Sequence, residues 1–95
     1  MSEDNSIFIG TKPFMNYVTG VVMQFTTKNA SEVMVKARGK FISRAVDVAE
    51  VASKRFLDST IAVKNITINS EEFKNTEGRT IRVSTIEIAL YKLNK

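Results

Sequence analysis

The sequence contains no cysteine and no histidine, and these two absences exclude several kinds of chemistry. Without cysteine the chain can form no disulfide, no thiolate metal site and no cysteine nucleophile. Without histidine it lacks the commonest general base and the commonest metal ligand. We therefore predict no metal site, no cofactor and no enzymatic activity.

Acidic pairs are the remaining candidates for catalysis. Glu71 and Glu72 are adjacent, so in a strand their side chains point to opposite faces of the sheet. Asp47 and Glu50 share the polar face of a predicted helix, where solvated surface charge is the usual role. The four glycines form no phosphate-binding loop motif. None of these residues supports an enzyme.

Long apolar runs are also missing. No segment approaches the ~20 residues of a membrane-spanning helix, and the first five residues are acidic and polar, unlike a signal peptide. We expect a soluble cytoplasmic protein with no membrane partner. The length of 95 residues predicts one domain, with residues 1–5 as a flexible tail and residues 6–95 as the folded unit.

The apolar pattern of residues 6–30 predicts a strand and then a helix. Residues 6–10 are a short apolar run ended by glycine, which is typical of a buried strand. Pro13 suits the first turn of a helix, Thr11 could cap it, and Asn29 is a suitable C-terminal stop.

Residues 31–57 predict a second strand and helix, separated by Gly39. The strand covers residues 31–37 and the helix residues 41–57. The main apolar stripe of the helix includes Val46, while Phe41, Val48 and Val51 lie off it. A helix that is apolar on more than one side is covered on more than one side, so we expect a partner subunit there.

The last third predicts a long β-hairpin with a turn at residues 75–78. Apolar residues alternate along both arms, and the alternation slips near Lys64-Asn65 and near Ser84-Thr85, as a β-bulge or a sharp twist would produce. Residues 69–82 are poor in core residues, so the tip should project into solvent. The predicted fold is α+β: a two-layer β-α-β-α-β-β sandwich with a four-stranded mixed sheet, two helices and a protruding hairpin.

Positive charge is concentrated at three places. Lysine and arginine outnumber acids 14 to 10, which gives a net charge of +4 and favours an anionic partner. If the first two strands are parallel neighbours, both strand–helix junctions lie at one end of the sheet, where helix N-termini favour phosphate. The alternative is ordinary solvated charge. The residues concerned are Lys12 at the first junction, Lys36, Arg38, Lys40 and Arg44 at the second, and Lys74, Arg79 and Arg82 in the hairpin.

Aromatic residues offer no evident platform for stacking bases. The registers of six of them favour the core or an interface: Phe8, Phe14, Tyr17, Phe25, Phe41 and Phe56. Phe73, near the hairpin tip, is the one aromatic residue for which we expect exposure.

Three ordered motifs resemble the Alba family of archaeal chromatin proteins. Residues 9–18 (IGTKPFMNYV) resemble its opening motif, and residues 35–47 (VKARGKFISRAVD) its second. Residues 77–79 (EGR) and 82–88 (RVSTIEI) resemble its hairpin. Together the motifs cover nearly the whole chain, which makes the resemblance specific.

The resemblance implies a fold shared with the C-terminal domain of a bacterial translation initiation factor. It implies a homodimer that coats and compacts double-stranded DNA on the chromosome without sequence preference, with hairpin arms in minor grooves. It also implies RNA binding. Lys12 and Arg38 would be body contacts beside Lys40 and Arg44, Arg79 and Arg82 would belong to the arms, and Phe56 would contact a neighbouring dimer.

Thr11 departs from the family pattern, which commonly has two lysines after Ile-Gly. This position is the one to which regulatory acetylation is attributed in the family. Threonine cannot carry that modification and removes one charge per subunit. We therefore expect weaker or differently regulated binding, and a heterodimer with a paralogue is an alternative to the homodimer.

Two other hypotheses remain open. The chain could be the RNA-binding subunit of a ribonuclease P-like ribonucleoprotein, since relatives of the family serve in such particles, and a strong preference for structured RNA would favour this. It could instead be a purely structural, self-assembling protein, although the basic junctions would then be unexplained.

Overall fold

The computed structural model describes residues 5–93. The elements in chain order are β1 (Ser6–Phe8), α1 (Phe14–Thr26), β2 (Glu32–Arg38), a 3₁₀ turn (Gly39–Phe41), α2 (Ile42–Val51), a π-helical turn (Ala52–Phe56), β3 (Ile61–Lys74) and β4 (Thr80–Lys92). The predicted β-α-β-α-β-β order is confirmed. Residues 1–4 of the predicted tail lie outside the described residues.

The four strands form one mixed sheet in the order β1-β2-β4-β3. β1 and β2 are parallel, whereas β4 runs antiparallel to both β2 and β3. Both helices pack on one face, which we call the helix face, and the opposite side is the open face. This is the predicted two-layer α+β architecture.

The core lies between the helices and the helix face. Alternate residues of β2, namely Val33, Val35 and Ala37, are buried and pair with buried residues of β4. Val21 of α1 and Val48 of α2 are 0% exposed and form the helix side of the core. The apolar side chains that alternate along the strands thus pack against the apolar stripes of the helices in one layer.

The hairpin extends beyond the rest of the sheet. Arg38, the last residue of β2, lies opposite Thr85, which pairs with Asn69. From there to the turn, β3 and β4 pair only with each other. The projection accounts for the long axis of a molecule that measures 52 × 27 × 22 Å, and it confirms the protruding arm.

Register along the hairpin differs from the prediction at one of two places. A register shift occurs between Val63 and Asn65, as expected near Lys64. The expectation of a β-bulge near Ser84-Thr85 was wrong, because pairing there is continuous. The apolar residues of β4 change face along the strand. Near the tip, Ile81 and Val83 lie on the open face, whereas Ile86 and every second residue after it lie on the helix face.

Two details of the helices also correct the sequence analysis. Thr11 does not cap α1: the N-cap position is Pro13, and no side chain caps the helix. In α2, Val48 belongs to the core, and Val46 is 42% exposed. Only Val46 and Val48 were therefore exchanged in the prediction, because the buried face of the helix runs through Ala45, Val48, Ala49 and Ala52.

Candidate nucleic-acid interface

The two strand–helix junctions lie side by side. β1 pairs with β2 in parallel, and the Ile9 N–H extends the ladder by donating to the Lys36 carbonyl oxygen at 2.9 Å. The loop that carries Lys12 and the turn that carries Lys40 therefore leave the same end of the sheet. The hairpin projects from this end too, so all three basic groups predicted from the sequence share one side of the molecule.

Tyr17 holds the first junction loop in place. Its hydroxyl oxygen accepts hydrogen bonds from the Gly10 N–H at 3.0 Å and the Lys12 N–H at 2.9 Å. The ring is only 8% exposed, so the two bonds tie the loop to a fixed point of the core. The sequence predicts Tyr17 in the core or an interface, but nothing in the Gly10-Thr11-Lys12 segment reveals its hydrogen bonds to the loop.

Arg44 has a structural contact that the sequence did not indicate. Its Nη1 donates to the Gly10 carbonyl oxygen at 2.7 Å, and its guanidinium lies 5.8 Å from the Tyr17 ring centroid. This side chain therefore links α2 to the first junction loop. The sequence predicts Arg44 as a nucleic-acid contact, whereas its hydrogen bond to Gly10 favours a role in fixing the loop that carries Lys12.

Gly39 permits the sharp turn at the second junction. Its φ is +56°, in the left-handed region that residues with a Cβ rarely adopt. A side chain here would strain the turn, so the glycine between Arg38 and Lys40 fixes how both cations leave β2. Lys40 lies over Phe41, with Nζ 5.5 Å from the ring centroid.

Three of the predicted cations already have acidic neighbours. Lys36 Nζ lies 3.9 Å from Glu87 Oε2, and Arg38 Nη2 lies 2.9 Å from Glu71 Oε1. In the hairpin, Arg82 Nη2 lies 2.8 Å from Glu72 Oε2. The Arg38–Glu71 and Arg82–Glu72 pairs are exposed, so a phosphate could exchange for either carboxylate at little cost. The Lys36–Glu87 pair is half-buried.

Four other cations are free of such pairs. Within residues 5–93, no ion pair shorter than 4.0 Å involves Lys12, Lys40, Lys74 or Arg79. All four residues are exposed. They give the junction end and the hairpin tip positive charge that no ion pair within residues 5–93 neutralises.

The hairpin tip is a hydrogen-bonded turn. Asn75 Oδ1 accepts hydrogen bonds from the N–H groups of Glu77 and Arg79, and Gly78 adopts a φ of +81°. Arg79 therefore leaves the turn in a defined direction. The carboxylates of Glu71 and Glu72 pair with separate arginines on opposite faces of the hairpin, so they do not converge as a catalytic pair would.

An apolar flank runs beside α2 on the helix face. Ile66 and Ile68 of β3 are 56% and 76% exposed, and Val63 is 42% exposed. Val46 of α2 is 42% exposed. It lies about 200° around the helix from Arg44, which reaches toward the first junction loop, so Val46 faces away from that loop. We call Val46, Val63, Ile66 and Ile68 the apolar flank.

Phe56 and Phe8 are exposed aromatic residues at two different places. Phe56 ends the π-helical turn and is 53% exposed. Phe8 is 66% exposed on the open face, next to Lys36, whose Nζ lies 5.4 Å from the ring centroid. Phe8 is thus not a core residue, because the helices cover the other side of β1.

Metal ligands and membrane-spanning helices can be assessed for the same part of the chain. Residues 5–93 contain no cluster of three or more acidic side chains that could hold a metal ion. No helix in this part is long and apolar enough to cross a membrane.

The fold and its basic end define a class: small α+β domains with a projecting hairpin and cationic strand–helix junctions. The sequence profile of the Alba family matches residues 5–70. The chain therefore belongs to the Alba family.

Individual relatives agree with this assignment over nearly their full lengths. The chain is 49% identical to the DNA/RNA-binding protein Alba of Methanococcus maripaludis, over 94% of this chain and 99% of the relative. It is 55% identical to the DNA/RNA-binding protein Alba of Nanoarchaeum equitans, over 90% and 96%. The solved structure of Alba from Thermoplasma volcanium superimposes with a TM-score of 0.83 at 45% identity, over 92% of this chain and 99% of that one.

Proposed function

We propose that this protein binds double-stranded DNA without sequence preference, as a dimer, and that it also binds RNA. The observation that carries the proposal is the convergence of Lys12, Lys40 and the hairpin cations at one end of the sheet. The relatives named DNA/RNA-binding protein Alba support it. A surface of this kind recognises phosphates, which every sequence presents alike.

The rigid support of the cations favours recognition of the phosphate backbone of the nucleic acid. Tyr17 and Arg44 fix the loop of Lys12, and Gly39 fixes the turn of Lys40. Neither of these two protein segments therefore has to be ordered on binding. The hairpin is a slender two-stranded ribbon with Arg79 in its turn. Such a ribbon suits a groove of the duplex, where shape rather than base identity is recognised.

A homodimer would bury the apolar flank. Ile66 and Ile68 are mostly exposed in the single chain, and their neighbours Val46 and Val63 extend the surface. Contiguous apolar surface of this kind marks an interface with another protein surface. A second copy would also double the number of cations facing the duplex. A heterodimer with a paralogue would use the same flank.

Coating and compaction would follow from contacts between dimers. Phe56 lies apart from the junction end and is exposed, so it remains available when the cations contact DNA. We assign it the contact with the next dimer. The protein would then act on the chromosome in the cytoplasm, with Thr11 leaving each subunit one cation short of the usual family pattern.

Binding to polymers of the same length tests the proposal. We expect unrelated duplexes of equal length to bind with dissociation constants within about threefold of each other, since phosphate contacts carry little sequence information. A structured RNA should bind as well. Failure to bind any duplex at low salt would contradict the proposal, and RNA binding far tighter than duplex binding would favour a ribonucleoprotein subunit instead.

A further inference from the structure

A depression of about 510 Å³ lies beside β1, between the outer edge of this strand and α1. Residues 6–8 of β1 line one side, and Asn16, Thr19 and Gly20 of α1 line the other. Lys12, from the loop that connects the two elements, also borders it. Of these residues, only Lys12 belongs to the surface proposed for nucleic acid.

The outer edge of β1 presents backbone groups to the depression. The Asn5 carbonyl oxygen and the Ile9 N–H each form a hydrogen bond of 2.9 Å with β2. Because successive residues of a strand direct their backbone groups to opposite sides, the N–H and carbonyl oxygen of Phe8 point away from β2. β1 is an edge strand of the sheet that the described residues form. Phe8 therefore offers one donor and one acceptor to an added strand.

Gly20 keeps the depression open. It lies in the middle of α1, where glycine stabilises a helix less than alanine does. Among the described residues around the helix, a Cβ at this position would contact only Ile7 Cδ1, at the ordinary van der Waals distance of 3.5 Å. Packing therefore does not require a glycine here, and the missing side chain leaves space for a bound molecule.

The charge of the depression favours an occupant with one acidic group. Of the described residues that line it, Lys12 alone is charged, and within residues 5–93 it forms no ion pair shorter than 4.0 Å. The Tyr17 hydroxyl accepts a hydrogen bond from the Lys12 N–H at 2.9 Å, which fixes this end of the depression. A polynucleotide carries a phosphate at every residue and would meet a single cation, whereas a peptide with one carboxylate is matched in charge.

We propose that the depression and the outer edge of β1 bind an extended peptide of a partner protein, with an acidic side chain beside Lys12. The peptide backbone pairs with Phe8 as an added strand, and a peptide side chain fills the space beside Gly20. Asn16 and Thr19 offer side-chain hydrogen bonds from the helix. The shortness of β1, three residues, limits the pairing to a short segment.

A bound peptide would compete with a duplex for Lys12. This consequence alone rests on the proposed function. The peptide site itself depends only on the edge of β1, the space beside Gly20 and the charge of Lys12.

Selection from a displayed library of short random peptides, followed by nuclear magnetic resonance titration, tests the proposal. An enriched peptide is synthesised and added to isotope-labelled protein while the amide chemical shifts are followed. Gly20→Leu fills the depression, and Gly20→Ala is a milder second variant in case the first does not fold. Met23→Leu is the matched control, since Met23 is exposed on α1 outside the lining. Thermal melting shows which variants are folded.

We expect the largest shift changes at Phe8, Thr19 and Gly20. Because an added side chain overfills the space, Gly20→Leu should weaken peptide binding by about tenfold or more and Gly20→Ala by about threefold. Met23→Leu should bind as wild type. Replacing the acidic residue of the peptide by lysine should weaken binding severalfold, most strongly at low salt.

Three results would overturn the proposal: no enriched peptide, shift changes elsewhere on the protein, or unchanged peptide affinity in both Gly20 variants. Duplex affinity should be the same in Gly20→Leu as in wild type, because the substitution removes no charge. A parallel loss of oligonucleotide binding in Gly20→Leu would assign the depression to nucleic acid instead. Wild-type protein that binds the peptide but no duplex would refute the proposed function and leave the peptide site standing.

Discussion

Arg38 and Glu71 form an ion pair of 2.9 Å that connects the end of β2 to the hairpin strand β3. The pair crosses the intervening strand β4, to which both neighbours are bonded. A cation predicted to contact nucleic acid is therefore partly neutralised by the arm beside it. Any phosphate that Arg38 binds must compete with this carboxylate.

Removing the carboxylate should strengthen nucleic-acid binding. In Glu71→Gln, Arg38 loses its competitor, so we expect duplex affinity to rise severalfold at low salt. The free energy of unfolding should change by less than about 1 kcal/mol, because the pair is exposed. Glu50→Gln is the matched control, since Glu50 pairs with Lys54 on the outer face of α2. Equal gains in both variants would show that the effect is only one of net charge.

Tyr17→Phe should loosen the loop that presents Lys12. The substitution removes the oxygen that accepts hydrogen bonds from Gly10 and Lys12, and should lower the free energy of unfolding by about 1–2 kcal/mol. Duplex affinity should fall as well, because Lys12 is no longer held. Urea denaturation and anisotropy measure the two effects. Tyr91→Phe, which alters an exposed tyrosine of β4, should change neither quantity.

Ile68→Lys should convert the dimer to a folded monomer. Ile68 is 76% exposed in the single chain, so lysine is tolerated there, but burying its charge between two apolar flanks is unfavourable. Sedimentation equilibrium measures the change. Met23→Lys, at a 47% exposed position of α1, should remain dimeric. A dimeric Ile68→Lys protein would exclude the flank as the interface.

Phe56→Ala should reduce the cooperativity of coating while leaving the affinity of an isolated dimer unchanged. The reason is that the ring lies outside the junction end and would contact only a neighbouring dimer. Titrations on a long duplex and on a duplex that accommodates one dimer separate the two quantities. Equal losses on both duplexes would assign Phe56 to DNA contact or to the dimer itself.

The pattern of apolar residues was sufficient to predict the fold because it is local. Alternation along β2 and β4, helical stripes, and the glycine at Gly39 each indicate an element without knowledge of its neighbours. The sequence left the parallel pairing of β1 and β2 as a condition, and the structure meets it. The shift at Lys64 was visible because it moves the apolar residues of β3 by one position.

The site was harder to predict because its contacts join distant parts of the chain. The acids that pair with Lys36 and Arg38 come from β4 and β3, and no local pattern connects them. The same holds for Arg44, whose donor role depends on the packing of α2 against the first junction loop. Phe8 was assigned to the core or an interface because alternation in a three-residue strand does not reveal which face is covered.

The dependence of duplex binding on salt tests the central claim most directly. Each phosphate contact contributes about −0.9 to the slope of log affinity against log salt concentration. Lys12→Ala removes one contact from each subunit, so the slope of a dimer should become shallower by about 2. Lys28→Ala removes an exposed lysine from the opposite end of the sheet and should leave the slope unchanged. Equal slopes for wild type and Lys12→Ala, or equal changes in both variants, would contradict the assignment of binding to the junction end.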